Sequence, residues 1–161
     1  MPLQKDYTLS YIRLLYESLT IMRTIQLIEK DNLSILIPLL KILNPSIEEN
    51  VLSSRLDEMK SHSYNCVGVF IDGKLAAACG FWILVKYYVG KHIEPDNVIV
   101  LPEYRGMKIG EEMMQWIYEY GKSIGCVASE LNCYVNNPSG VKFWINQGYK
   151  IIGYHFQKQL D

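Results

Sequence analysis

The sequence lacks most of the features that reveal a function early. No apolar run approaches the roughly 20 residues needed to cross a bilayer. The amino terminus has no compact apolar block followed by small residues, so no secretory signal is expected. Charge excess is missing too: 16 Lys and Arg stand against 17 Asp and Glu. That balance predicts neither a nucleic-acid surface nor a strongly acidic partner. Cysteine is scarce, and Cys66, Cys79, Cys126 and Cys133 show no CxxC or Cys/His metal spacing. We therefore expect no metal, and read the four thiols as small hydrophobes in a reducing cytoplasm. Repeats, low-complexity tracts and linkers are absent, as is the G-x-G-x-x-G dinucleotide fingerprint.

What remains is material for a core: 49% of 161 residues are hydrophobic, with twelve tyrosines and three tryptophans. Residues 22–161 read as one domain, which "MRTIQLIEKDN" opens naturally at Met22. Residues 1–21 read as an extension, with Leu9, Ile12, Tyr16 and Leu19 on one helical stripe. Such a helix could pack on the domain or on a second subunit.

Hydrophobic periodicity and punctuation predict the order β-α-α-β-β-β-α-β-α-β. A strand over Arg23–Ile28 precedes a helix capped by Asp31 and interrupted by Pro38. "SIEE", Ser46 to Glu49, has the form of a capping box opening a helix that ends near Lys60. A hairpin turns at Asp72-Gly73, and a two-residue turn there sets Cys66 opposite Cys79. In the next strand, about His92 to Leu101, Pro95 removes a ladder donor and suggests a bulge or an exposed edge. A helix over about Met107–Lys122, a strand "VASELNCYV", a helix from Asn137-Pro138 to Gln147, and a last strand "YKIIGYHFQKQL" follow. The strands near Val98 and Leu131 should run parallel, joined by a right-handed crossover. The fold class is α+β with mixed strand directions.

"VIVLPEYRGMKIGEEMM", Val98 to Met114, runs from a β-branched strand through a basic turn into a helix. The free N–H groups and dipole of a helix start favour an anion. Arg105, Gly106, Lys108 and Gly110 add two positive charges and two places where backbone can come close. Tight strand–helix packing is the alternative reading of such a turn.

"NVIVLPEYRGMKIGEEMM" resembles the CoA-binding motif of the GNAT superfamily of N-acetyltransferases, in which V-x-P-x-Y-R-G leads into K-G-I-G. Lys108 departs from the family's middle glycine. "NNPSGVKFWINQGY", Asn136 to Tyr149, is similar to a second family segment, N-x-x-A-x-x-[FL]-Y-x-x-x-G-[FY]. The resemblance covers roughly Arg23 to Leu160. It implies a mostly antiparallel twisted sheet flanked by helices, with two splayed parallel strands at the cofactor site. It also implies acetyl-CoA as cosubstrate, a direct acetyl transfer to a primary amine of a small molecule or peptide, and a possible homodimer.

The implied CoA-binding residues are Val98, Ile99 and Val100 on the strand, then Arg105, Gly106, Met107, Lys108, Ile109, Gly110 and Glu111 at the turn. Asn137, Phe143 and Trp144 complete the set. The Val98 amide would serve as oxyanion donor. Asp96 stands where the family often places an acid, and Glu94 shares its face in a regular strand. Either carboxylate would be the base, since an alkylamine is mostly protonated at neutral pH. His92 reads as a surface histidine. Trp144 replaces the family's acid tyrosine, and indole does not release its proton. Three outcomes follow: the thiolate leaves with solvent help, or Tyr134 stands in as the acid, or the protein binds acyl-CoA and transfers slowly or not at all. Trp82, Tyr87 and Tyr88 suit a cationic or aryl amine. The alternative is an acyl-CoA-binding sensor or partner module with little catalysis.

Overall fold

The computed structural model describes residues 22–160; the helix expected within 1–21 lies outside them. Among the described residues five strands form one sheet in the order β1 (Arg23–Leu27), β2 (Asn65–Ile71), β3 (Lys74–Lys86), β4 (Gly90–Val100) and β5 (Ala128–Ser129). Neighbours pair antiparallel except β4 and β5, which run parallel as the crossover rule requires. The helices are α1 (Ile37–Leu43), α2 (Glu49–Ser61), α3 (Ile109–Ser123) and α4 (Pro138–Asn146).

Each face of the sheet has its own core. On one, Val67, Val69, Cys79, Phe81 and Ile93 meet Ile109, Met113, Met114 and Ile117 of α3. Those four side chains fall on one helical stripe and are at most 1% exposed. Each contributes on the order of 1.5–3 kcal/mol by burial. On the other face, Cys66, Ala78 and Ile99 meet Leu36, Leu39 and Leu40 around α1, Leu52 and Leu56 of α2, and Tyr64.

Pro38 divides the first helix as expected. A 3-10 turn, Lys30–Leu36, precedes α1, whose first turn accommodates the proline's missing N–H. Asp31 is not a cap but lies inside that 3-10 turn. The capping box does not form either: Glu48 caps α2 without a side-chain bond. A turn closed by Ile47 N–H on Asn44 O, with Lys41 Nζ bonded to Ile47 O at 2.7 Å, keeps Ser46 outside the helix.

Two irregularities set the phase of the strands. The hairpin turn is tight, with Asp72 at φ 48° and Gly73 at φ 77°. Ala76 then bulges from β3, because Phe70 pairs with Leu75 but Val69 with Ala77. The register slides by one, so Cys66 pairs with Gly80 and Cys79 with Val67. The expected Cys66–Cys79 pair is thereby corrected, and the two thiols fall on opposite faces. In β4, Asp96 pairs with Gly80 and Ile99 with Ala78, leaving Asn97 and Val98 opposite Cys79 alone. Asn97 takes φ 50° there. The bulge thus comes just after Pro95, which itself stays in register with Phe81.

The expected last two strands are mostly absent. Only Ala128 and Ser129 of "VASELNCYV" pair, and residues 149–160 form no strand among the described residues.

Candidate active site

Parallel pairing stops where the site begins. His92 and Ile93 face Ala128 and Ser129, and Glu130 N–H on Ile93 O at 3.1 Å is the last rung. Beyond it, no main-chain bond joins the two strands among the described residues. The result is a gap flanked by Glu94–Val100 on one side and Leu131–Val135 on the other.

β4 leads through the 3-10 turn Pro102–Tyr104 into the start of α3. Arg105 Nε–H donates to Val100 O at 3.2 Å, tying the turn to the strand end. Gly106 at φ 77° and Lys108 at φ 60°, ψ 11° bend the chain into the helix. Lys108 therefore takes the left-handed conformation a glycine would take freely, at a cost of about 1–2 kcal/mol. From Gly106 to Glu111, six consecutive main-chain N–H groups have no acceptor among the described residues. With no side-chain cap among the described residues and nothing within 4 Å of a Cβ built on Gly106, the turn is open, an arrangement that suits an anion. The Ile109 and Ile99 side chains are buried in the two cores, so only their main chains face the site. Met107, Lys108 and Glu111 are exposed.

Glu94 and Asp96 pair directly with Trp82 and Gly80, and so share a face. Asp96 Oδ2 accepts from Trp82 Nε1 at 3.3 Å. Burial raises the Asp96 carboxyl above its ordinary value despite that bond and the Asn97 N–H, and Glu94 adds to the rise. Tyr64 packs against Trp82 with the rings tilted, 5.1 Å between centroids, and fills the space over Gly80.

Glu94 belongs to a cluster that sequence reasoning missed. Lys86 Nζ donates to Glu94 at 3.2 Å and to Glu130 at 3.1 Å. Tyr88 Oη donates to Glu130 at 3.0 Å, and Asn132 Nδ2 to Glu94 at 3.3 Å. Burial pushes the Glu130 carboxyl up, but the Lys86 and Tyr88 bonds outweigh it and hold the group low. His92, expected at the surface, is fully buried beneath this cluster. Its Nδ1 bonds Gly90 O, while Nε2 lies 3.8 Å from Glu94 and 3.7 Å from Glu130 without a hydrogen bond. Alternation along "VASELNCYV" carried the missing signal, since it puts Glu130 and Asn132 on one face.

Across the gap, Asn137 caps α4 by accepting from Gly140 N–H at 3.0 Å. Phe143 reaches back to α3, where its ring lies 3.4 Å from a Cβ built on Gly110. Trp144 packs edge-on against Phe143 and Tyr149. Tyr134 is 80% exposed.

Comparison with known proteins agrees with this geometry. Residues 36–149 match the model of the acetyltransferase (GNAT) family. The aminoalkylphosphonate N-acetyltransferase of Salmonella typhimurium LT2 is 31% identical over 67 residues, 42% of this chain and 44% of that protein. The glucosamine 6-phosphate N-acetyltransferase of Arabidopsis thaliana is 28% identical over 98 residues, 57% of this chain and 66% of that protein. The matches thus span less than two thirds of either relative. The crystal structure of an Arabidopsis thaliana glucosamine-6-phosphate N-acetyltransferase superposes with a TM-score of 0.65 at 24% identity, over 87% of this chain and 99% of that one. The aminoglycoside N-acetyltransferase AAC(6')-Iy in complex with CoA superposes with 0.75 at 16% identity, over 87% and 95%. The chain belongs to the GNAT family of acetyltransferases.

Proposed function

We propose that the protein is an N-acetyltransferase that moves an acetyl group directly from acetyl-CoA to a primary amine of a small molecule or peptide. The observation that carries this reading is the run of six unpartnered N–H groups where the splayed β4 meets α3. Acetyl-CoA supplies the acetyl group as an activated thioester. The nest from Gly106 to Glu111, with Arg105 and Lys108 beside it, suits the pyrophosphate. Main-chain groups of Val98, Ile99 and Val100 would hold the pantetheine in the gap, with the Val98 amide as oxyanion donor. Asn137, Phe143 and Trp144 would line the opposite wall.

Asp96 and Glu94 are the groups assigned to take the acceptor's proton. Burial makes the Asp96 carboxylate a stronger base than an exposed one. Glu94 and Glu130 together already hold one ammonium, that of Lys86, which supports a cationic acceptor. Proton return to the leaving sulfur falls to water, helped by a thiol pKa of about 8.5, with the exposed Tyr134 free to assist. A second reading, an acyl-CoA-binding module with little catalysis, is favoured by Trp144, an aromatic in the place of a proton donor. We read the assembly as a homodimer, on the exposed apolar carboxy-terminal segment. We read the compartment as the cytoplasm, on four free thiols.

Calorimetry with acetyl-CoA, dephospho-CoA and pantetheine, repeated on Arg105→Ala, tests the nest, and thiol release with an amine library tests transfer. Binding that needs the pyrophosphate and weakens in the variant is expected. No binding at ~1 mM, about −4 kcal/mol, overturns the enzyme reading. Binding without thiol release from any amine favours the module.

A further inference from the structure

His92 lies near the start of β4, paired with Leu84 on one side and Ala128 on the other, and its side chain is fully buried. Its Nδ1 is 3.0 Å from Gly90 O. A carbonyl only accepts, so Nδ1 carries the N–H, and in the neutral ring Nε2 keeps a bare lone pair. That atom has no hydrogen-bond partner among the described residues. It is aimed between two carboxylates, 3.8 Å from Glu94 Oε2 and 3.7 Å from Glu130 Oε2. Three acceptors thus converge with no proton between them. Packing alone does not ask for this, because a buried acceptor left without a donor costs stability.

The charged and titratable groups around this point come from three strands and their extensions. They are Lys86 of β3, Tyr88 of the β3–β4 turn, Glu94 of β4 and Glu130 beyond β5, with Asn132 adding an amide. Lys91, the residue before His92, bonds Ile124 O at the end of α3 instead. Lys86, Tyr88 and Asn132 all donate to the carboxylates and none donates to the ring. A proton that enters the cluster therefore meets one vacant acceptor, His92 Nε2.

We propose that His92 receives, through Glu94, the proton that the acceptor amine must lose. The inference rests on the acetyl-transfer reading, with Glu94 as a base. Glu94 takes one proton from the acceptor's ammonium and leaves a neutral amine. As a neutral acid it no longer forms an ion pair with Lys86, and its new O–H turns to the lone pair 3.8 Å away. The proton passes to Nε2, and Glu94 is a carboxylate again. Glu130, which also meets the exposed Tyr88 hydroxyl, then hands the proton to water. The amine's second proton leaves to water as the C–N bond forms and the C–S bond breaks, and water returns one to the thiolate. An ordinary imidazole, at about 6.5, holds a proton roughly a hundredfold more firmly than an ordinary carboxyl at about 4.3. The pair is thus a better sink for an ammonium's proton than a carboxylate alone. His92 touches no substrate and acts through Glu94.

The test joins nitrogen NMR of the imidazole ring to pH–rate profiles of the wild type and His92→Gln. The sequence has three histidines, and His62 and His155 are exposed. In His62→Gln/His155→Gln, whose activity should be unchanged, the ring observed is His92 alone. At about pH 9 it should carry its proton on Nδ1, and Nε2 should gain one as pH falls to about 5. A ring already protonated on Nε2 at high pH, or one that gains no proton over that span, overturns the proposal even if the glutamine variant does not fold. The wild-type kcat should rise with pH between about 5 and 8. His92→Gln should lose that rise and lower kcat roughly tenfold or more, with the KM for acetyl-CoA unchanged. A wild type that transfers acetyl with the same profile as His92→Gln overturns the His92 assignment alone. A wild type that transfers acetyl to no amine overturns the acetyl-transfer reading and this inference with it.

Discussion

Glu94 and Glu130, from neighbouring strands, converge on a single ammonium: Lys86 Nζ lies 3.2 Å from one and 3.1 Å from the other. Nothing adjacent in sequence links them. The splay of β4 from β5 begins at these two residues, so the carboxylates stand at the root of the gap.

The first prediction separates their roles. A charge-assisted hydrogen bond contributes about 1.5–3 kcal/mol, so Glu130→Gln should raise the KM for a cationic amine roughly tenfold or more. Glu94→Gln should lower kcat by roughly a hundredfold. Steady-state kinetics checks both, and calorimetry should show acetyl-CoA affinity nearly unchanged. Glu130 is also held below its ordinary value of 4.5, so its ion pair stabilises the fold above that pH. Thermal melts should show the wild type's advantage over Glu130→Gln at neutral pH vanishing as pH falls below 4.5.

Asp96 has the opposite sign. Burial raises its carboxyl above 3.8, so holding it ionised costs stability wherever pH exceeds the folded value. Asp96→Asn should therefore melt higher than wild type at neutral pH, with the gain gone below pH 3.8. The same variant should lose most of its kcat. The acid limb of the wild-type rate profile should turn at a pH above 3.8.

Lys108 allows charge and strain to be measured apart. Lys108→Gly and Lys108→Ala remove the same ammonium, but only alanine still pays for φ 60°. Glycine should be the more stable by about 1 kcal/mol, or roughly 2–4 °C in Tm. Both should weaken acetyl-CoA binding by a similar factor, which calorimetry at two salt concentrations would show.

Gly80 leaves room for the Tyr64 ring on one face of the sheet. A Cβ there would lie 1.8 Å from the Tyr64 hydroxyl, and Tyr64 is 1% exposed. Gly80→Ala should cost about 1–3 kcal/mol in a denaturant melt. Because Tyr64 packs against Trp82, which donates to Asp96, the variant should also lose activity.

Several local features, in the site and outside it, were legible in the sequence. The basic turn, the hairpin at Asp72-Gly73 and the Asn137 cap all formed where their residues predicted. Asn137 and its partner Gly140 are three residues apart, and the hairpin needs only two positive φ angles. Ser46 and Asp31 failed as caps for the complementary reason: Lys41 bonds the carbonyl of Ile47, within a turn that leaves Ser46 outside the helix, and Asp31 lies inside a 3-10 turn.

The sequence by itself determined the elements whose causes are local: the hairpin turn, the Asn137 cap, the amphipathic stripe of α3 and the basic turn at its start. Tertiary structure alone decided the register and everything register controls. One extra residue at Ala76 sent Cys66 and Cys79 to opposite faces, and another at Asn97–Val98 placed Ile99 in the core beneath Asp96's side of the sheet. Burial of His92 and the meeting of Glu94 with Glu130 arise from contacts far apart in the chain. Strand periodicity says which residues share a face. Only the packed sheet says which face, and what lies across from it.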